Sequence, residues 1–400
     1  MRALLGSIFQ RVVKSGHLVM IDPSGRRQDF GEQSAKPLTM RLNDRLVALD
    51  LVRNPQLKLG EAYMDGRISF EGGTIADFLD LIARNIGTGF GGGHLEWIAM
   101  FRNAVRRFAP RNSHARARRN VAHHYDLSGG LYDLFLDTDK QYSCAYFDTP
   151  QDSLETAQLN KKRHIAAKLD LKPSHKVLDI GSGWGGMGLH IAETAGADVT
   201  GITLSDEQLE VANERVAGAR LAGRVRFRLE DYRHTQGTFD RIVSVGMFEH
   251  VGRGHYDEFF RQIASLLAED GVALIHTIGR AEPPSTTAGF IAKYIFPGGA
   301  LEDIGSSLQA AERAGFAVHD VEGWREHYAL TTMRWCERLT ARQDEATALV
   351  GPETYRIWVG YLAGVSLAFE RGSLLLFQTL LARSPRGPSG LPPSRADLYR

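Results

Sequence analysis

A chain of 400 residues, of which 43% are hydrophobic, is long enough to bury a full core and to form one large and one smaller domain. Its net charge of +1 and its ordinary composition exclude a disordered chain and argue against a nucleic-acid-binding protein. The cysteines, Cys144 and Cys336, lie far apart in the sequence, so neither a disulfide framework nor a four-thiolate metal site is expected. This cysteine usage favours a reducing compartment, and we predict a cytoplasmic protein.

The amino-terminal stretch has an apolar start but does not resemble a cleaved export signal. Arg11 and Lys14 interrupt it, and no small-residue cleavage site follows a continuous apolar core. Nowhere does the sequence contain an uninterrupted apolar run of about 20 residues, the length needed to cross a bilayer. We therefore expect a protein that does not span a membrane, although it can still sit on the surface of one.

Residues 1–95 mix short strand-like runs with one amphipathic stretch, which predicts a small α+β domain. The apolar positions of the predicted helix are Ala76, Phe78, Leu79, Leu81 and Ile82. The glycine cluster GTGFGGG at residues 87–93 then indicates a flexible joint.

The segment after this joint has the strongest local charge of the chain. Between Trp97 and Tyr125 there is no acidic residue. The basic residues of this arginine run are Arg102, Arg106, Arg107, Arg111, Arg116, Arg118 and Arg119. Such a run is either a solvated linker or a patch attracted to anionic phospholipid, at about 1 kcal/mol per basic residue near the surface.

From Val177 onward, strand-like and helix-like segments alternate, which predicts a parallel sheet covered by helices on both faces. Strands are predicted at 176–182, 198–205, 225–231, 239–246 and 271–279, and helices at 186–196, 205–223 and 255–270. A helix over 152–171 precedes them, with Asp152 and Glu155 in capping-box positions. In sheets of this kind, ligands bind at the carboxyl ends of the strands.

The glycine-rich turn after the first of these strands indicates a nucleotide-like cofactor. Gly181, Gly183 and Gly186 match the dinucleotide pattern, which by itself is a weak signal. An NAD enzyme would place an acidic residue at the end of the second strand, where this chain has Thr203 and Leu204. The acid is instead Asp179, which favours a ligand with a cationic end, such as S-adenosylmethionine. A strand-end aspartate that caps the turn is the alternative.

Several separated motifs now resemble one family, the cyclopropane-fatty-acyl-phospholipid and mycolic acid cyclopropane synthases. The motifs are LDIGSGWGG, GITLSDEQ, LEDYR, FDRIVSVGMFEHVG and LIHTIG, with HHYDLSGGLYDLFLDTDKQYSCAYF upstream and HYALTTMRW downstream. The match covers roughly residues 120 to 380, and LKLGEAYMDG resembles the amino-terminal domain of the longer members. The resemblance implies a Rossmann-like class I methyltransferase fold, α/β with a mostly parallel sheet and helices on both faces, plus the small α+β domain.

This resemblance also implies domain boundaries. A lipid-associated domain would span 1–95, a basic linker 96–122, the S-adenosylmethionine-dependent catalytic domain 123–385 and a tail 386–400.

Two sets of residues are predicted to form the site, all of them implied by the resemblance except Asp179, which is inferred from its place before the glycine turn. The S-adenosylmethionine set is Tyr142, Ser143, Asp179, Gly181, Gly183, Thr203, Leu204, Gln208, Asp231 and Tyr232. The set implied for catalysis around a bound bicarbonate is Cys144, Glu249, His276, Ile278 and Tyr328. One departure is visible, because serine stands at 182 where some members have cysteine.

Each catalytic candidate also has a structural alternative. Without a catalytic role, Cys144 would be a small buried hydrophobic residue, and His276 would be a hydrogen-bonded core histidine. Glu249 is otherwise a cap of the helix that starts near His255. No metal is expected, because His123 and its neighbour lack spaced partner ligands.

The apolar segment 289–299 is either core packing or the wall of an acyl-chain channel. An acyl-chain channel would suit the activity that the resemblance implies, the addition of a methylene to a cis double bond of a phospholipid acyl chain. Such an enzyme would work as a peripheral protein at the inner face of the membrane, where an anionic surface attracts the arginine run. A related lipid C-methyltransferase giving methyl-branched, methylene or furan-precursor chains is the nearest alternative. A small-molecule N-methyltransferase and a non-catalytic lipid-binding protein are further ones, and a homodimer stays open.

Overall fold

The computed structural model describes residues 2–86, 129–281, 289–295, 301, 303–383 and 389–397. The predicted domain boundaries at 95, 122 and 385 lie outside these ranges and stay predictions, as do the glycine cluster and the arginine run. His123 and His124 lie outside them as well.

The chain divides into two compact units that are not contiguous in sequence. The first takes its described residues from 1–109, 285–297 and 332–373. The second takes them from 110–284, 298–331 and 374–400. The first unit therefore includes segments that lie far beyond the amino-terminal region in the sequence.

The first unit contains a four-stranded sheet of order β2-β1-β3-β4, in which β1 and β3 are parallel and the other pairs antiparallel. Its strands are β1 His17–Ile21, β2 Arg27–Gly31, β3 Pro37–Leu42 and β4 Ile68–Glu71. Its amino-terminal helices are α1 Arg2–Val12, α2 Val47–Arg53, α3 Pro55–Met64 and α4 Ile75–Ile86. The predicted α+β domain is confirmed, and α4 matches the predicted amphipathic helix. The sequence analysis missed α1, α2 and α3.

Helix α3 had a readable signal at its start. The Asn54 side chain accepts a hydrogen bond from Leu57 N at 3.4 Å, and Pro55 occupies the first helical position. Both residue types favour helix starts, Asn as a cap and Pro because its missing N–H is not needed there.

Two later helices complete the first unit by packing on this region. Helix α10, Gly289–Tyr294, packs on α3, and helix α13, Gln343–Glu370, packs on α3 and α4. Phe290 lies so close to Gly60 that a Cβ there would come within 2.3 Å of its ring. The buried Glu61 carboxylate accepts hydrogen bonds from Lys293 Nζ at 2.7 Å and Tyr294 Oη at 3.0 Å. The segment thus packs as part of a core, and its role as an acyl-chain wall stays a prediction.

The second unit is built on a seven-stranded sheet of order β10-β11-β9-β8-β5-β6-β7. Its strands are β5 Lys176–Ile180, β6 Asp198–Thr203, β7 Val225–Leu229, β8 Phe239–Val245, β9 Leu267–Arg280, β10 Ala317–Gly323 and β11 Leu374–Ala382. Strands β5 to β9 pair in parallel, and β11 is antiparallel to both neighbours. The predicted mostly parallel sheet is confirmed, and its strand order reverses at β5.

Helices cover both faces of this sheet. They include α6 Leu154–Lys168, α7 Gly186–Ala195, α8 Asp206–Ala219, α9 Tyr256–Leu266 and α11 Ile304–Arg313. Two further helices are α5 Gly129–Asp133 and α12 Arg325–Ala341, and the residues of α12 are divided between the two units. Leu178 of β5 packs in one core cluster with α9 and α11, whereas its neighbour Val177 packs in another with α6, α7 and α8. Successive side chains of a strand point to opposite faces, so the sheet is the middle layer of three.

Two local predictions were wrong. Helix α9 ends at Leu266, because Leu267 is already extended and begins β9, so residues 267–270 are not helical. The cap of α6 is Ser153, whose hydroxyl accepts a hydrogen bond from Thr156 N at 3.1 Å. The predicted capping box of Asp152 and Glu155 fails because the Asp152 carboxylate closes the preceding turn, accepting the N–H of Thr149 at 3.1 Å.

Among the helices in the described ranges, none combines the length and the apolar character needed to cross a membrane.

Close packing at one glycine of β6 generates a stability prediction. A Cβ at Gly201 would lie 2.4 Å from the Phe227 ring and 2.9 Å from Ser182 Cβ. We expect Gly201→Ala to lower the free energy of unfolding by about 1–3 kcal/mol, as overpacking does, measured by urea denaturation. Gly218→Ala is the matched control, because a Cβ on this helical glycine meets nothing within 4 Å, and it should be neutral or stabilising. Equal stability of the two variants would contradict the packing described.

Candidate active site

A cavity opens at the carboxyl ends of β5, β6 and β8, beside the point where the strand order reverses. Every residue predicted to bind the cofactor lines it: Tyr142, Ser143, Asp179, Gly181, Gly183, Thr203, Leu204, Gln208, Asp231 and Tyr232. The lining also includes Lys140, Gln141, Ser182, Trp184, Met247 and His250, which the sequence analysis had not placed there. The position is the one at which doubly wound sheets hold ligands.

The glycine turn forms the floor of this cavity through its backbone. Gly181 has a φ of 82° and Gly183 a φ of 54°, which side chains with a Cβ rarely adopt. The N–H groups of Gly181 and Ser182 both donate to Ile202 O at 2.9 Å, which fixes the turn to β6. A Cβ at Gly183 would meet no atom within 4 Å, so its backbone faces open space.

Asp179 is the buried acid of the cavity. Its side chain is 2% exposed, and its Oδ2 has no hydrogen-bond partner among the described residues. Burial raises the pKa of Asp179 to about 7, and the charge of Lys161 opposes that rise. A cap of the following turn would have required a backbone N–H on this oxygen, so the structure does not support that alternative for Oδ2.

On the β6 side, polar groups are held by the start of α8. Ser205 caps this helix by accepting the N–H of Gln208 at 3.3 Å. Thr203 Oγ1 donates to Gln208 Oε1 at 2.9 Å, which fixes the amide at the cavity edge. The carboxylate of Asp231 accepts two hydrogen bonds from the Arg233 guanidinium, at 2.9 and 2.6 Å.

Glu249 lies in a short 3-10 turn after β8 and is bound to β9. Its Oε1 accepts the N–H of Ile278 at 2.7 Å, whereas its buried Oε2 has no partner in the part of the chain that the structure describes. Burial raises the pKa of Glu249 to about 7. The alternative of a cap for the helix near His255 is wrong, because the carboxylate binds β9 instead.

His276 lies on β9, two residues before Ile278, and therefore on the same face of the strand. It is 1% exposed, and its Nδ1 lies 3.1 Å from the Gln378 amide nitrogen. Its Nε2 is buried without a partner within the described ranges. Burial lowers the pKa of His276 well below its usual value, so the ring is neutral at physiological pH.

The remaining candidates meet at Trp324, a fully buried residue that the sequence analysis missed. The His276 ring stands edge-on to Trp324 with centroids 5.4 Å apart. The Cys144 thiol lies 3.9 Å from Trp324 O, and Tyr328 N donates to the same oxygen at 3.1 Å. Burial raises the pKa of Cys144 well above its usual value, so it remains a thiol. The structure thus brings the His276 ring against the Trp324 indole, and the Cys144 thiol and the Tyr328 backbone N–H to the Trp324 carbonyl oxygen. Glu249 is joined to Ile278 of β9, two residues beyond His276.

Helix α6 supplies further buried polar residues that sequence reasoning overlooked. The segment NKKRH resembles a solvated charged face, yet Lys161 is fully buried and Gln158 is 1% exposed. A signal was present, since Leu154, Ala157, Gln158, Lys161, Ile165 and Lys168 follow the spacing of one helical face.

Comparison with known proteins gives consistent matches. The family model described as mycolic acid cyclopropane synthetase matches residues 112–379, and a domain of unknown function matches residues 13–89. The chain is 36% identical to a probable fatty acid methyltransferase of Pseudomonas putida, over 88% of this chain and 91% of that protein. It is 39% identical to the cyclopropane-fatty-acyl-phospholipid synthase of Escherichia coli strain K12, over 65% of this chain and 66% of that protein.

A solved structure is also similar to this chain in sequence and in fold. The crystal structure of a mycolic acid cyclopropane synthase complexed with SAH and CTAB is 35% identical, with a TM-score of 0.63, covering 66% of this chain and 97% of that one.

The buried Glu249 generates a prediction on stability and pH. In an unfolded chain glutamate titrates near pH 4.3, whereas here the pKa is about 7. The folded state therefore holds an extra proton between these values, and its stability falls as the pH rises through them. Glu249→Gln should remove this loss, so that the variant gains about 1–3 kcal/mol relative to the wild type on going from about pH 5 to pH 8.

Urea denaturation at several pH values measures this difference. The exposed Glu193 of α7, changed to glutamine, is the control and should leave the pH dependence as it is. An unchanged pH dependence in Glu249→Gln would show that the carboxyl group is not buried as described.

Proposed function

Because the chain belongs to the mycolic acid cyclopropane synthetase family, we propose that it transfers a methylene group from S-adenosylmethionine to the cis double bond of a phospholipid acyl chain, forming a cyclopropane ring. The observation that carries this proposal is the cavity at the strand ends, in which a buried Asp179 oxygen lacks a partner. The five residues proposed to hold bicarbonate are not among those that line the cavity, but Cys144 and Glu249 are the sequence neighbours of two that do, Ser143 and His250.

The cavity fits the cofactor on three counts. Asp179 matches its cationic methionine end, because an unpaired buried carboxylate favours a positive ligand. The open backbone at Gly183 allows close approach, and Gln208 and Asp231 offer polar edges for the nucleoside. When bound, S-adenosylmethionine supplies an activated methyl group for the double bond. Strand β6 ends at Thr203, which is hydrogen-bonded to Gln208. Because threonine is not acidic, this position offers no carboxylate for the ribose of NAD.

After methyl transfer to an alkene, ring closure requires the loss of a proton from the added methyl group, so a base must lie within reach of that carbon. Bicarbonate would supply this base, held by Cys144, Glu249, His276, Ile278 and Tyr328. Two buried polar atoms support this fit, since Glu249 Oε2 and His276 Nε2 both lack partners in the described structure.

The chain's own groups are suited to moving that proton. Because Nδ1 of the neutral His276 accepts a hydrogen bond from the Gln378 amide, its Nε2 carries the proton and donates a hydrogen bond to a bound anion, whereas the Glu249 carboxyl group, with a pKa of about 7, exchanges a proton near physiological pH. Ile278 N fixes the Glu249 carboxyl group, and the Gln378 amide lies against His276 Nδ1, so both groups are oriented before substrate binds.

A second candidate function has its own support. The Pseudomonas relative, which aligns over most of both chains, is named a probable fatty acid methyltransferase. A lipid C-methyltransferase giving methyl-branched, methylene or furan-precursor chains would use the same cavity and differ in the fate of the proton. A small-molecule N-methyltransferase leaves the first unit without a purpose, and the buried Glu249 and His276 speak against a non-catalytic lipid-binding protein.

The proposed place of action is the cytoplasmic, inner face of the membrane. The arginine run would attract the anionic surface, at about 1 kcal/mol per basic residue. On α1, Leu4 and Ile8 lie one turn apart and are 49% and 37% exposed, which adds an apolar contact surface. A homodimer remains an expectation.

Expression in a host that lacks cyclopropane lipids tests the function. We expect a new fatty acid methyl ester in gas chromatography, heavier than an unsaturated one by a single methylene and carrying a ring. The matched control is Gly183→Val, whose branched side chain would enter the cofactor space and strain the backbone, and it should give no product. A methyl-branched or methylene product would instead support the second candidate, and no new lipid from the wild type would contradict both.

The proton-transfer role of His276 and Glu249 gives a separate prediction. His276→Ala and Glu249→Gln should each lower turnover by roughly 10²–10⁴-fold, the loss typical of acid–base assistance, with S-adenosylmethionine affinity nearly unchanged. Stripping dissolved carbon dioxide should slow the wild type, and added bicarbonate should restore it.

Turnover and calorimetric binding are measured side by side, with the exposed Glu312→Gln of α11 as the control. If both variants keep full activity, or lose it only by losing the cofactor, the two residues are structural. If bicarbonate does not change the turnover of the wild-type protein, a side chain is the base instead.

A further inference from the structure

The cavity wall formed by residues 140–143 is irregular and is held from α6. Gln158 Nε2 donates to the carbonyl oxygens of Gln141 at 3.2 Å and Ser143 at 2.9 Å. Lys161 Nζ donates to Gln141 Oε1 at 2.7 Å and to Ser143 Oγ at 2.8 Å. Two side chains one helical turn apart therefore fix both the backbone and the side chains of the wall.

Lys161 is unusual because it is fully buried and both of its hydrogen-bond acceptors are uncharged. No ion pair joins it to a carboxylate within the described ranges. A buried cation is costly unless charges at longer range compensate it. The charged and titratable groups that act on it or are acted on by it are Asp137, Asp139, Lys162, Cys144, Asp179 and His276.

Of the carboxylates around Lys161, two are already engaged. Asp139 is paired with Lys162 and Arg215. Asp137 accepts the N–H groups of Asp139 and Gln141. The carboxyl group that remains open to a new partner is Asp179, which lies on the same face of β5 as Val177, the face covered by α6.

We propose that Lys161 is a positioning residue of the cofactor site: its ammonium group holds Gln141 and Ser143 in the cavity wall, and its charge keeps Asp179 ionised for the cationic end of S-adenosylmethionine. This inference rests on the proposed function, because it concerns the same cavity and cofactor.

The electrostatics agree with this geometry. Burial raises the pKa of Asp179 to about 7, and Lys161 is the group that opposes the rise. Burial likewise lowers the pKa of Lys161 to about 8, so at neutral pH the lysine is charged while the carboxyl group is partly ionised. Removal of the cation leaves burial unopposed, and Asp179 then ionises only at higher pH.

Calorimetric titration with S-adenosylmethionine from about pH 6 to pH 8.5 tests the role of the charge. Wild-type affinity should rise as the pH rises through about 7, as Asp179 ionises. Lys161→Gln keeps a hydrogen-bonding group but loses the charge, and should move the midpoint up by about one pH unit or more and weaken binding about tenfold at neutral pH. Lys161→Arg keeps the charge and should keep the midpoint near that of the wild type.

Lys168→Met provides the matched control. Lys168 is on the same helix and equally buried, but it is paired with Glu322 and does not act on Asp179. Lys168→Met should leave the midpoint of the pH dependence of S-adenosylmethionine affinity unchanged, even if it changes the stability of the fold.

The outcomes separate the inference from the function it rests on. Lys161→Gln binding that is weaker by the same factor at every pH would reduce Lys161 to a structural role and overturn the inference. Should that variant not fold, a changed midpoint in Lys161→Arg would overturn it equally, and an unchanged one would support it. A wild type that does not bind S-adenosylmethionine at any pH would instead contradict the proposed function itself.

Discussion

The reversal of strand order at β5 is the constraint on which the site depends. It brings the carboxyl ends of β5, β6 and β8 to one edge, where the glycine turn leaves the backbone exposed to a ligand. Because helices cover both faces of the sheet, polar side chains at this edge are surrounded by protein rather than by water. This burial is the largest cause of the displacement of the pKa values of Asp179, Glu249 and His276 toward their neutral forms.

The same burial explains why the site needs supporting residues. Trp324 shapes the space around His276 and Cys144, and α6 fixes the irregular wall opposite. Such groups cost stability when they are left without partners, and proteins tolerate this cost where a ligand will complete the set. The unpartnered atoms of Asp179, Glu249 and His276 belong to this part of the second unit, which is where the proposed chemistry needs them.

Much of the second unit was predictable, because the period of apolar residues changes from strand to helix in a regular alternation and the glycine turn marks β5. That the motif residues share one cavity was also predictable, since most of them follow strand ends at the same edge of the sheet, whereas their binding of the cofactor stays a prediction. Lys161 was overlooked because it stands in a charged segment, although its spacing with Leu154 and Ile165 on one helical face was a usable signal. Trp324 lies in none of the motifs on which the sequence analysis rests. The extent of β9 was missed because Leu267 continues the apolar pattern of α9, and backbone conformation alone ends the helix there.

The first unit has a consequence for synthesis on the ribosome. Its core needs Phe290 and α13, which follow the amino-terminal strands by most of the chain's length. Chains emerge from the amino terminus, and distant contacts form late. The four-stranded sheet therefore leaves the ribosome with the surface of α3 uncovered, and Glu61 remains without Lys293 until at least 293 of the 400 residues have been made. A nascent chain of this kind is exposed to aggregation and to chaperones for most of its translation, although the finished protein buries that surface.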